Sequence, residues 1–277
     1  MSKRERPIRM IVAVSDLHAG SKLSPLTPTP YTCLEDGTEV YPNKIQQWLN
    51  SCWEDAWARA EAYIGSEPWA FVLVGDAIEG RHHSMDHLVS LDPADHVHIA
   101  VGLLRPHILS ARHRFFVKGT YCHTGPSSEA RLGVHLKADR HPDTHTFSAD
   151  RWRLTVDGFP LVFRHHIPVT SREHLRASQL SIQLANEQVA AARRGHTVPM
   201  GLIGGHRHLH DLYSDGRSFC LTLGPWQQAT RHSHTNWSPM VPEPSLCILD
   251  FRDREPDTVP YIEVFKYTPT QDHEVQL

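Results

Sequence analysis

The chain alternates short apolar runs with longer amphipathic stretches. Met10–Val14 is an unbroken run of apolar and β-branched residues that stops at Ser15-Asp16, the pattern of a strand buried on both faces. Residues Gly20 to Asn43 carry Pro25, Pro28, Pro30 and Pro42 without periodicity and read as a long loop. From Lys44 to Ile64 the residues Ile45, Trp48, Leu49, Cys52, Trp53, Ala56, Trp57, Ala60 and Tyr63 recur at helical spacing, and Gly65 supplies a stop. Trp69–Val74 predicts a second buried strand, ending at Gly75-Asp76. Asp92-Pro93 reads as an N-cap followed by proline in the first turn of a helix running towards Ala111, with a break or kink at Pro106.

Arg114–Lys118 predicts a third strand, closed by Gly119. Trp152–Val156 and Leu161–Arg164 flank Asp157-Gly158, a hairpin signal. Ser171–Arg194 reads as a long helix ending at Gly195, and Met200–Ile203 as a strand ending at Gly204-Gly205-His206. Beyond it, Phe219–Leu223, Leu246–Phe251 and Tyr261–Lys266 read as antiparallel strands without intervening helices. The early strand–helix alternation and the strand-rich end predict one α/β domain over residues 1–277, with two packed β-sheets and helices outside them.

Bulk properties narrow the function. A 40% hydrophobic content supports a sizeable core, and no apolar run approaches the roughly 20 residues of a membrane helix. The basic N-terminus leads into an apolar stretch too short for a signal peptide. The expectation is a soluble, cytoplasmic protein with no membrane partner. Five cysteines, an odd number without a C-x-x-C pair, argue against a disulfide framework or a thiolate zinc site. A net charge of −3 weighs against a general affinity for long duplex nucleic acid. Nothing in the pattern sets an oligomeric state.

Histidine is the outlier, with 22 residues, and imidazole is the commonest metal ligand. Metal-capable residues follow one strand end after another: Asp16-Leu17-His18; Gly75-Asp76 with Glu79; Gly119 with His123; His165-His166; and Gly205-His206-Arg207-His208. In open α/β sheets, ligands bind outside the carboxyl ends of strands. Mixed carboxylate and imidazole donors suit manganese, iron, zinc or nickel rather than calcium. An aspartate can bridge two metals through its two oxygens, which a histidine cannot.

The order D-x-H, G-D-x-x-E, a glycine-led loop with histidine, a histidine after a strand, and G-H-x-H resembles the calcineurin-like metallophosphoesterase family, over Asp16 to His208. The resemblance implies a fold of two face-to-face sheets flanked by helices, and two divalent metal ions, manganese first with iron, zinc or nickel as alternatives. It implies that Asp16 and His18 bind the first metal and Asp76 bridges both. His165 binds the second, with His166 beside it, while His206 goes to the second and His208 to the first. The third motif departs from the family's G-N-H-[DE]: here it is Gly119-Thr120-Tyr121-Cys122-His123, a G-T-x-x-H form similar to phage and prophage members. Thr120, a water or His123 then takes the place of the missing asparagine.

Other assignments follow more loosely. Glu79 is either a ligand or a group orienting a ligand histidine. His83 and His210 are further candidates, and His123 is the candidate general acid and substrate contact. Arg207 and Arg231 are candidate substrate contacts, the latter in a late loop with His232, His234 and Trp237 that would cover the mouth. The activity implied is hydrolysis of a phosphodiester, in a nucleotide or nucleic acid, by a water activated between two metals. A phosphomonoesterase or protein phosphatase is the runner-up, and a catalytically silent metal-binding interaction protein is the alternative of another class. A mononuclear zinc amide hydrolase lacks its H-E-x-x-H signature.

Overall fold

The uninterrupted apolar runs become the central strands of two sheets. A computed structural model describes residues 6–28, 30–81, 86–124, 128–168, 170, 172–230 and 241–269. In chain order these form β1 (Met10–Val14), β2 (Thr32–Cys33), β3 (Glu39–Val40), α1 (Lys44–Ile64), β4 (Trp69–Val74), α2 (Pro93–Ile108), β5 (His113–Val117), α3 (Tyr121–Thr124) and α4 (Ser128–His135). Then come β6 (Trp152–Val156), β7 (Phe159–His166), a 3-10 turn (Glu173–Leu175), α5 (Arg176–Arg193), β8 (Gly201–Gly205), β9 (Asp211–Ser214), β10 (Phe219–Thr222), β11 (Ser245–Asp250) and β12 (Tyr261–Lys266).

One sheet runs β12-β11-β1-β4-β5 and the other β6-β7-β8-β10-β9. Both are mixed: β1, β4 and β5 are parallel, as are β7, β8 and β10, with antiparallel strands at the flanks. Ile11, Ala13, Val72 and Val74 of the first sheet meet Phe159, Leu161, Phe163, Ile203 and Leu221 of the second. The outer face of the first sheet (Met10, Val12, Phe71, Leu73) packs under α1 and α2, and that of the second (Val162, Leu202, Cys220) under Leu180 and Leu184 of α5. The result is a four-layer α/β/β/α sandwich, so the central strands are apolar at every position.

Helix α1 starts on a capping box. Asn43 Oδ1 accepts from Gln46 N at 2.9 Å, and Gln46 Oε1 accepts from Asn43 N at 3.1 Å. It buries Trp53 and Trp57, while Ile45, expected on the buried face, is exposed. Trp53 meets Trp226 edge-on at 4.6 Å between centroids, tying the helix to the loop after β10. Asp92 caps α2, accepting from Ala94 N, and the helix carries Pro106 inside it.

Several expectations need correction. The loop 20–43 contains the β2–β3 hairpin, too short to register as periodicity. The long helix begins at Arg176 rather than 171, with the 3-10 turn in front of it. Helices α3 and α4 and strand β9 were not expected; each spans eight residues or fewer. The three late strands do not form one antiparallel set. β10 lies parallel to β8 in the second sheet, while β11 and β12 close the first beside β1. Local apolar runs carry no mark of which sheet they join. No described helix is long and apolar enough to cross a membrane.

Candidate metal centre

The carboxyl ends of β1, β4, β5, β7 and β8 meet at one end of the sandwich, and the loops leaving them carry the titratable residues. These loops pair across the sheet beyond the strands: Asp16 N donates to Gly75 O at 3.1 Å and His18 N to Asp76 O at 3.0 Å. That pairing holds the backbone in a sparsely populated region. Asp16, His18, Asp76, His206 and His208 all have positive φ, between 46° and 75°. A non-glycine residue there costs on the order of 1 kcal/mol or more, and such conformations cluster at functional sites.

Among the described residues, three groups could hold a metal ion: Asp16, His18 and His208; His18, Asp76 and His123; and Asp76, His165 and His206. In the first, His18 Nε2 lies 3.0 Å from His208 Nε2, and Asp16 Oδ1 lies 3.8 Å and 3.4 Å from these nitrogens. Nitrogens bound to one cation at about 2.1 Å and roughly at right angles stand about 3 Å apart. In the third group, His165 Nε2 sits 2.9 Å from Asp76 Oδ2. His165 Nδ1 donates to Val74 O at 2.7 Å, so in the neutral ring Nε2 carries the lone pair, as in metal-binding histidines. That Nε2 is buried against the Asp76 carboxylate. Asp76 belongs to two of the groups and so links them.

Charge follows the geometry. Burial pushes the Asp16 and Asp76 carboxyls upward, but neighbouring histidines, His165 foremost, outweigh it and hold both well below the usual range. Burial, reinforced by cationic His165, drives His206 down to about 4, which leaves it a neutral imidazole. His165 itself is pushed up to about 9: burial opposes the shift, and Asp76 and Asp16 together overcome it.

The open alternatives resolve into distinct placements. His165 is buried and faces the carboxylates, whereas His166 is exposed, its ring 4.4 Å from that of His206. Thr120 N donates to Asp76 Oδ1 at 2.6 Å, and its hydroxyl lies 3.3 Å from Asp76 Oδ2 and 3.2 Å from His206 Nδ1. His123 donates through Nδ1 to Glu79 O at 2.9 Å and presents its ring edge-on to His18. Glu79 sits behind His18, with Oε2 2.8 Å from His18 Nδ1, and Oε1 2.7 Å from His87 Nε2. Arg207 is half-buried on the loop between His206 and His208. His210 stands apart from the three groups, towards Lys266 and Glu243. His83, Arg231, His232, His234 and Trp237 lie outside the described residues.

Four supporting residues escaped the sequence reading. Ser15 Oγ donates to Asp16 Oδ2 at 2.5 Å, and Gln227 Nε2 donates to Glu79 Oε2 at 2.7 Å. His87 completes the shell around Glu79. Glu129 of α4 accepts from Gly119 N at 3.1 Å; burial first and Asp76 next push its carboxyl to about 7. Of these, only Ser15 adjoins a motif. Two motif glycines leave no room for a side chain: a Cβ on Gly119 would collide with Asp76, and one on Gly205 with Ser15 and Asp16.

No protein-family model matches the chain, and no curated protein matches its sequence. Solved structures similar to it include the zinc complex of Vps29 from Entamoeba histolytica, at 14% identity over 94% of this chain and 99% of that one, with a TM-score of 0.43. An archaeal phosphodiesterase matches at 11% identity over 93% and 99%, with a TM-score of 0.41. The 5′-nucleotidase precursor from Thermus thermophilus matches at 13% over 94% of this chain and 54% of that one, with a TM-score of 0.40.

Proposed function

We propose that residues 1–277 form one metal-dependent phosphoesterase domain, a cytoplasmic phosphodiesterase acting on nucleotides or nucleic acid. The observation that carries the reading is the carboxylate of Asp76, common to two ligand groups at the carboxyl ends of parallel strands. The order of its motifs, which resembles the calcineurin-like metallophosphoesterases, supports it. The donor set fits a cation pair: the buried His165 Nε2 faces the Asp76 carboxylate, His206 is neutral and both aspartates are ionised. Asp16, His18, His208 and Asp76 would hold one ion, and Asp76, His165 and His206 the other, with the Thr120 hydroxyl beside the second. Manganese is the first choice; iron, zinc and nickel suit the same donors.

When bound, such a pair supplies Lewis acidity to the phosphoryl oxygens and lowers the pKa of a water poised to attack phosphorus. The chain's own groups position and protonate. Ser15 and His206 N hold the Asp16 carboxylate from one side, the latter at 3.0 Å and 3.1 Å from its two oxygens. Thr120 N fixes Asp76, and Glu79 fixes His18. His123, its Nδ1–H held by Glu79 O, turns Nε2 towards the site, where in the protonated ring it gives its proton to the leaving oxygen. Arg207, beside His206 and His208, is the cation placed to meet a substrate phosphate.

The test is hydrolysis of bis-p-nitrophenyl phosphate and p-nitrophenyl phosphate with manganese and with chelator, using Asp76→Asn as control. Chelator-sensitive turnover that favours the diester and disappears in the variant is expected. Preference for the monoester would move the reading to a phosphomonoesterase or protein phosphatase. A folded protein inactive with manganese, iron, zinc and nickel would overturn catalysis and leave a silent metal-binding protein.

A further inference from the structure

The outer face of α5 is unusual for a surface helix. Its inner face (Leu180, Leu184, Glu187, Ala191) is buried on the second sheet. Directly opposite runs a second row, Leu175, Ser178, Ile182, Ala185, Val189 and Ala192, all exposed, with Leu175 at 39%, Ile182 at 51% and Val189 at 49%. The large residues recur every seventh position, with a small residue three further on each time, which is the spacing of a coiled-coil seam. From Ala177 to Ala192 the only charged residue is Glu187, and it is buried against Arg151, Arg153 and Arg164. A solvated helix face ordinarily carries charges, whereas a helix apolar on two faces has a second surface to bury. Among the described residues, the strands that pack on α5, namely β8, β9 and β10, all lie on its inner side.

We propose that this face binds a second copy of the same chain, α5 against α5, antiparallel about a two-fold axis near Gln183 and Leu184. The order of side chains is what selects a second copy. Antiparallel pairing about that point sets Ile182 opposite the partner copy's Ala185, Leu175 opposite Ala192 and Val189 opposite Ser178. Every large residue meets a small one, the knob-and-hole condition met twice by symmetry. The rim of Gln179, Ser181, Asn186 and Gln188 is polar and uncharged, so the two copies do not repel. A helix of 18 residues is about 27 Å long, and one such pair buries less than a standard interface of about 1,600 Å². A reversible, concentration-dependent dimer is therefore expected. Because α5 follows β7 and leads into the parallel β8, it runs away from the metal end, and antiparallel pairing points the two sites in opposite directions. Each site is complete within its own chain, and the inference is independent of the function proposed above.

Sedimentation equilibrium of the full chain over a concentration series tests it. The wild-type protein is expected to rise from one to two chain masses with concentration. Ile182→Glu, at an exposed position that keeps the helix, is expected to stay at one chain mass throughout with an unchanged circular dichroism spectrum. Ile182→Ala and Ala185→Ile are each expected to raise the dimer dissociation constant several-fold, and the two together, which exchange knob and hole, to restore it. A wild-type protein monomeric at every concentration, a dimer indifferent to Ile182→Glu, or a double variant weaker than both single ones would each overturn the proposal.

Discussion

The burden on single residues at the metal end is electrostatic. Asp76 is held ionised against its burial by His165 foremost, and Thr120 N donates to it, so replacing it by asparagine keeps its shape and removes its charge. The expected result is a loss of turnover of about a hundredfold or more, larger than the roughly 10–100-fold typical of a residue that only orients a ligand. Glu79 meets His18 from behind and joins none of the candidate groups, the placement expected of a residue that orients a ligand. Glu79→Gln is expected to weaken manganese binding by roughly 10–100-fold, measured by titration calorimetry, while the fold persists. The pH dependence is shared by His18, held well above 6.5 against its burial by Glu79 foremost, and His165. The value for His165 in the metal-free protein, about 9, lies above the ordinary 6.5. The stability it contributes as a cation paired to Asp76 is therefore complete below about pH 6.5 and lost as pH rises through about 9. A cation must displace that proton and the one on His18, so apparent metal affinity is expected to rise by up to about tenfold per pH unit for each proton displaced. His206, already neutral, adds nothing to this slope. Affinity flat from pH 6.5 to 9 would contradict the charge state of His165.

Each strand delivers its ligand through the turn that follows it, and glycine sets how close the turns approach. Gly119 lies against the Asp76 carboxylate with no room for a Cβ, and its N–H is held by Glu129 from α4. Gly119→Ala is expected to displace Asp76 and abolish manganese binding in calorimetry, with a stability cost of about 1–3 kcal/mol from overpacking. Helix α1 acts at a greater distance. Trp53 meets Trp226, and the next residue, Gln227, donates to Glu79. Packing on the far side of the first sheet thus helps hold the group that orients His18.

For the whole molecule, the proposed ligands come from four strand ends, β1 and β4 in one sheet and β7 and β8 in the other, so a bound cation pair would clamp the sandwich at one end. A ligand that binds only the folded state adds about 2.7 kcal/mol at a hundredfold excess over its dissociation constant. Manganese is therefore expected to raise the melting temperature of the wild-type protein in a concentration-dependent way, reversed by chelator, and to leave Asp76→Asn almost unmoved. Scanning calorimetry checks both.

Local chemistry was readable in the chain itself. Strands β1, β4, β6 and β12 and helix α1 coincide with the expected bounds, because long apolar runs and capping boxes are properties of neighbouring residues. The candidate ligand motifs were visible for the same reason, each lying within a few residues of a strand end. What needed three dimensions was everything decided by contact between distant segments. His165 could not be told from His166 because both are histidines at adjacent positions of one strand, and which of them meets the Asp76 carboxylate is decided by how β7 packs. Nothing local distinguished Glu79 as the support of His18, or brought Gln227, His87 and Glu129 to the site, because their partners lie up to 148 residues away. The assignment of β10 to one sheet and β11 to the other was likewise decided only when two apolar faces packed together, a choice of partner that a strand's own sequence does not encode.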